Sequence, residues 1–172
     1  MVDSLPSRRF LLSGVFVGVL ATGLVVAWVV GDGSDVALTG RAAPDFTVEL
    51  LGGGEFDLAS HIADDGRPLV LNLWASWCAP CREEIPTLSA FAETHPDTAV
   101  FGIAVQDQAE NARGLAAELD PSYPLGLADA DFESSYPHLG LPVTYFIDAS
   151  GVVTGVVNGL LTEERLEELT TS

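Results

Sequence analysis

Leu69-Val70-Leu71-Asn72-Leu73-Trp74-Ala75-Ser76-Trp77-Cys78-Ala79-Pro80-Cys81-Arg82-Glu83-Glu84-Ile85-Pro86 is the stretch from which the fold can be read. Its first six residues are apolar except for Asn72, and they have strand length. Such a run suits a strand at the centre of a sheet, buried on both faces. Two cysteines follow, separated by two residues. Beyond them Leu88, Phe91 and Ala92 recur at helical spacing. The pattern predicts a buried strand, a C-x-x-C turn, and a helix reaching about Thr94, kinked at Pro86.

Working outward, Phe46 to Leu50 reads as a strand, Gly52-Gly53-Gly54 as a turn, and Glu55 to Asp57 as its return. Leu58 to Ile62 predicts a short helix, broken by Asp64-Asp65-Gly66 and Pro68. After the long helix come a second buried strand (Val100 to Val105) and a helix (Glu110 to Leu119) with Leu115 and Leu119 on one face. A short strand at Leu125 to Leu127 and a helical turn at Phe132 to Tyr136 follow. Val143 to Ile147 and Val152 to Val157 form a hairpin around Asp148 to Gly151, and Thr162 caps a last helix to about Leu169. The expected fold class is α/β: a mixed sheet with helices on both faces.

Cys78 and Cys81 are the only cysteines. A structural framework of disulfides shows several spaced cysteines, and one C-x-x-C closes too small a loop to stabilise much by chain entropy. At a helix start, however, the first sulfur lies among unpaired backbone N–H groups, at the positive end of the helix dipole. Its thiol acidity should rise. The expected chemistry is thiol exchange: Cys78 attacks a partner disulfide, and Cys81, one turn on, resolves the mixed disulfide. Pro80 is tolerated so near the helix start. With Ala79-Pro80 and no histidine between the sulfurs, the pair leans toward the reducing end. A structural disulfide and half a zinc site are the other readings. Zinc would need two further ligands, and His61, His95 and His138 stand singly, as capping or surface residues.

The chain has 172 residues, 48% of them hydrophobic, enough for one core. There are 25 acidic residues against 7 basic ones, all arginine, for a net charge of -18. All but one of the acids lie beyond Val30. That charge excludes nucleic acid as a partner. It fits a solvated acidic surface, and secondarily attraction to basic proteins. Phe10 to Val30 carries no charge and is long enough to cross a bilayer. Arg8 and Arg9 precede it, while Asp32 and Asp35 follow, so residues 1–9 are expected in the cytoplasm and the domain outside. Residues 10–30 read as a retained signal anchor, and residues 31–44 as a linker. Ser7-Arg8-Arg9-Phe10-Leu11-Leu12 also resembles a twin-arginine export signal. Either route leads to a compartment that oxidises thiols.

Trp77-Cys78-Ala79-Pro80-Cys81 behind Val70-Leu71-Asn72-Leu73-Trp74 resembles the thioredoxin superfamily, and more closely its membrane-anchored TlpA/ResA/CcmG branch. The resemblance covers roughly residues 39–169 and implies a thioredoxin-like domain over 45–172. Cys81-Arg82-Glu83-Glu84-Ile85-Pro86 fits the branch's continuation and gives Glu84 the place of its active-site glutamate, able to exchange a proton with Cys81. Glu83 reads as a solvated helix charge. Leu141-Pro142-Val143-Thr144 looks like the cis-proline loop, which faces the disulfide and pairs with substrate backbone. The long separation of Cys78 from Pro142 matches the branch's insertion. Asn72 stands where thioredoxins proper carry a buried aspartate. Trp77 is expected to shield the disulfide and touch substrate, and Trp74 to lie in the core.

The resemblance implies an extracytoplasmic thiol:disulfide reductase of exported proteins, apocytochrome c among them, re-reduced by a membrane electron donor. No cofactor or resident metal is expected. An oxidase or isomerase is the same chemistry reversed. A copper-delivery module is a different class, but it uses C-x-x-x-C with a distant histidine, one residue longer than the spacing here. A thiol peroxidase on this fold would want a separate peroxidatic cysteine, which the sequence lacks.

Overall fold

A computed structural model describes residues 38–170. The expected membrane segment and the first part of the linker fall outside these residues. Among the described residues no helix is long and apolar enough to cross a membrane.

The elements are β1 (Thr47–Leu50), β2 (Glu55–Asp57), α1 (Leu58–Ser60), β3 (Leu69–Trp74), α2 (Ala79–Thr94) and β4 (Ala99–Ala104). They continue with α3 (Ala109–Leu119), β5 (Leu125–Leu127), α4 (Ala130–Ser135), β6 (Val143–Ile147), β7 (Val153–Asn158) and α5 (Glu163–Thr170). The seven strands form one mixed sheet in the order β2-β1-β5-β4-β3-β6-β7. β3 pairs in parallel with β4 and antiparallel with β6. The helix expected over Leu58 to Ile62 is a single turn instead. Asp57 caps it by accepting from the Ser60 N–H at 2.7 Å, and a π-helical turn (His61–Asp65) continues to Gly66, whose φ of 67° ends it.

Every residue of β3 is buried, and its period-two alternation divides the core in two. Val70 and Trp74 face α2, α3 and α5, with Ile85, Leu88, Phe91, Ala112, Leu115 and Leu166 packed over them. Leu69, Leu71 and Leu73 face the other way, toward Leu58, Phe132, Tyr136 and Tyr145. Each large apolar side chain so buried contributes about 1.5–3 kcal/mol. α2 runs unbroken through Pro86, whose ring lies on the exposed face. The carbonyl it leaves unpaired is therefore on the solvent side.

The part of the linker from Leu38 onward is bonded into the domain. The Gly40 N–H donates to Val153 O and the Ala43 N–H to Gly151 O, both at 2.8 Å, around a bridge between Ala42 and Val152.

Gly102 of β4 pairs with Asn72, on the face beneath α2. A Cβ there would lie 2.5 Å from Leu125 Cδ2 and 3.2 Å from both Trp74 Nε1 and Tyr123 Cε2. Gly102→Ala is expected to lower stability by about 1–3 kcal/mol through overpacking. Urea unfolding of the variant against the parent measures it, and an unchanged midpoint would show that the Trp74–Tyr123 layer can yield.

Candidate active site

β3 and β4 run in parallel, and their carboxyl ends open onto the turn that holds the cysteines, the usual place for a site in such a sheet. Cys78 is the N-cap residue of α2, with extended backbone. Its Sγ accepts the Cys81 N–H at 3.2 Å, so the first sulfur sits on the open backbone donors of the helix start. A disulfide joins it to Cys81, with the Cα atoms 5.3 Å apart. Cys81 has no exposure and Cys78 keeps 4%, so Cys78 is the sulfur nearer to solvent.

Three loops frame this pair. Trp77 is 61% exposed, and its indole N–H donates to Gln106 O at 3.1 Å in the β4–α3 loop. Gln106 has φ 51°, and its N–H is held by the Glu133 carboxylate at 2.7 Å. Asp107 next door accepts from the Ser76 N–H at 2.5 Å and the Ser76 hydroxyl at 2.9 Å, fixing the turn before Trp77. The Leu141–Pro142 peptide bond is cis. Pro142 O accepts the Gly159 N–H at 2.8 Å, tying this loop to the β7–α5 loop. The backbone N–H and C=O of Leu141 make no hydrogen bond among the described residues.

Behind the disulfide lies Glu84, three residues and about one turn beyond Cys81. It is 1% exposed. Its Oε2 accepts from Asn72 Nδ2 at 2.8 Å and its Oε1 from the Leu161 N–H at 2.7 Å. Asn72 Nδ2 also donates to Thr144 Oγ1 at 2.9 Å. Burial pushes the Glu84 carboxyl up to about 7, against the pull of the Leu161 and Asn72 donors in the opposite direction. Glu83, by contrast, is exposed.

Among the described residues the histidines bond or stack on groups other than the cysteines and Glu84. His138 Nδ1 lies 3.1 Å from Tyr136 O, and a carbonyl can only accept, so Nδ1 carries the proton of the neutral ring. Its Nε2 then accepts from the Gln106 amide at 3.2 Å. His61 bonds Arg67 O at 3.0 Å, and His95 stacks on Phe91 at 4.1 Å.

The residues singled out in the sequence meet here. Trp77, Cys78, Cys81 and Glu84 come from the β3–α2 unit, and Leu141 and Pro142 from the loop that leads into β6. Residues 39–156 match the AhpC/TSA family. The chain belongs to that family. It is 32% identical over 130 residues to the thiol:disulfide interchange protein HelX of Rhodobacter capsulatus, covering 74% of this chain and 72% of HelX. It is 28% identical over 166 residues to the thiol-disulfide oxidoreductase ResA of Oceanobacillus iheyensis, covering 93% and 86%. A thioredoxin-family thiol:disulfide interchange protein from Chlorobium tepidum has the same fold, with a TM-score of 0.68 at 28% identity over 76% of this chain and 93% of that one. With its redox-ready cysteine pair, the protein is a thiol:disulfide oxidoreductase of this redoxin type.

Three residues of the site carried no sequence signal. Gln106 and Asp107 lie in a loop with no motif, and Leu161 acts through its backbone. Thr144 stood inside the proline motif without a role, and Asn72 was marked only by the aspartate it replaces.

Glu84 gives stability a pH dependence. A glutamate unfolds to an ordinary value of 4.5 and holds its proton to about 7 when folded. Between those values the native state binds the extra proton, so stability falls as pH rises through this window and is level above it. The loss is on the order of 3 kcal/mol. The urea midpoint of the parent is expected to fall from pH 5 to pH 8, and Glu84→Gln to flatten that slope. An equal slope in the variant would assign it to other groups.

Proposed function

We propose that this oxidoreductase is a reductase of disulfides in exported proteins, working outside the cytoplasm from a membrane anchor at residues 10–30. The observation that carries the proposal is the Glu84 carboxyl, buried one turn from Cys81 with its proton balanced near neutral pH. A resolving cysteine with no exposure cannot lose its proton to water. A buried base of matched affinity answers that need.

In the reduced chain the Cys78 thiolate attacks one sulfur of a partner disulfide, and the other partner sulfur leaves as a thiolate. The Cys81 proton passes to Glu84. The Cys81 thiolate then attacks Cys78 Sγ, breaking the mixed disulfide and freeing the second partner sulfur, which is protonated. The partner gains two electrons and two protons, and the chain is left with the Cys78–Cys81 disulfide. A membrane protein that donates electrons restores the dithiol. Leu141, with its unpaired backbone groups before Pro142, suits pairing with an extended substrate segment, and the exposed Trp77 indole suits contact with its side chains. Relatives named for thiol:disulfide interchange support the reading. Apocytochrome c, a basic protein with two cysteines to keep reduced, is one substrate that the acidic surface of this chain would attract.

The Cys78–Cys81 couple is expected to have a potential below about −200 mV. A value well above that makes the protein an oxidant. Cys81→Ser is expected to accumulate mixed disulfides through Cys78. Glu84→Gln is expected to slow release of a mixed disulfide by about 10²-fold at pH 7 and to move its pH dependence toward that of an unassisted thiol, about 8.5 or higher. Stopped-flow tryptophan fluorescence reads both, and a parental profile in Glu84→Gln would remove Glu84 from the mechanism.

A further inference from the structure

Asn72 is an unusual occupant of its position. It is fully buried, and the residues on its side of β3, Val70 and Trp74, are core hydrophobics. Its register neighbours are Gly102 on one side and Thr144 on the other. Among the described residues its Oδ1 has no hydrogen-bond partner, an arrangement that costs free energy in a core. Both amide protons, however, are committed: one to Glu84 Oε2 and one to Thr144 Oγ1. With Glu84 ionised the amide cannot be turned over, because Oδ1 would then face a carboxylate oxygen that can only accept.

Glu84 is thereby gripped on both oxygens from opposite sides, by the central strand through Asn72 and by the β7–α5 loop through Leu161. We propose that Asn72 is a positioning residue for thiol exchange: it holds the Glu84 carboxyl as a proton acceptor and ties it to the strand that extends the Pro142 loop. This rests on Glu84 as the group that takes the Cys81 proton. An apolar residue at 72 would leave burial less opposed, and Glu84 would keep its proton further above neutrality. An aspartate would set a second carboxyl against the first, so that the two share one proton.

Among the described residues the groups that face Glu84 are few. α2 itself contributes the Cys78 and Cys81 thiols once reduced. The segment before β5 contributes Tyr123, whose buried phenol is raised by desolvation and by the charge of Glu84. β3, β6 and the β7–α5 loop contribute the neutral Asn72, Thr144 and Leu161 N–H. The charged side chains of α3 and α5 are exposed.

The test is carbon-13 NMR titration of the glutamate carboxyls in the oxidised full-length chain, with Glu84→Gln assigning the signal. Asn72→Ala is expected to raise the Glu84 midpoint by about one pH unit or more, and to move the pH dependence of mixed-disulfide release by the same amount. Asn72→Asp keeps the size and shape of the residue should the alanine variant fail to fold. It is expected to show two coupled midpoints, the upper one above that of the parent. A Glu84 midpoint that stays at the parental value in a folded variant would overturn the proposal, as would a moved midpoint with an unmoved exchange profile. The titration needs no partner and no turnover. Failure of the broader mechanism would show instead as unchanged exchange in Glu84→Gln.

Discussion

A carboxyl group sealed from water must be met by hydrogen-bond donors, and the protein brings donors to Glu84 from distant parts of the chain. The helix that begins at the disulfide supplies the acid. The central strand supplies Asn72, and the loop before the last helix supplies Leu161 N–H. These partners lie 12 and 77 residues from Glu84 along the chain, so the contact exists only when sheet, long helix and final helix are all assembled. The acid one turn from Cys81 thus reports on the folding of the whole domain.

The same constraint explains the order of the architecture. A strand with every residue buried must lie inside a sheet and between two helical layers. Its carboxyl end then delivers Cys78 to the start of a helix, where backbone N–H groups await a partner. The sulfur chemistry is a consequence of where β3 stops. The frame around it, with Trp77 on Gln106 and Ser76 on Asp107, fixes the turn by hydrogen bonds to one neighbouring loop.

Most of this was legible along the chain. The run of Leu69 to Trp74, apolar but for Asn72, reads as a buried strand, and its bounds are those seen. The C-x-x-C turn was recognisable by residue type and spacing, while Glu84 and Pro142 stood out only through the resemblance to the thioredoxin-like branch. The short helix after β2 begins where expected, but past Ser60 it is π-helical: such a turn differs from an α-helical one by a single hydrogen-bond step, which side-chain patterning does not encode. The partners of Glu84 were hidden for a different reason. Sequence reveals that a carboxyl is near a thiol on one helix face, but not that a backbone amide 77 residues later closes over it. Gln106 and Asp107 belong to a loop whose role is set by which strand ends beside it.

The bridge between Ala42 and Val152 has a mechanical meaning. Val153 pairs with Ile147, at the far end of β6 from Val143 and the proline loop. At strand rise, that places the first anchored residues about 15 Å along the sheet from the level of the disulfide. Leu38 to Ala43 therefore fasten the chain to the end of the sheet remote from the proline loop. A pull on this segment would be borne first by the β6–β7 hairpin to which it is bonded, away from the sulfur-bearing rim.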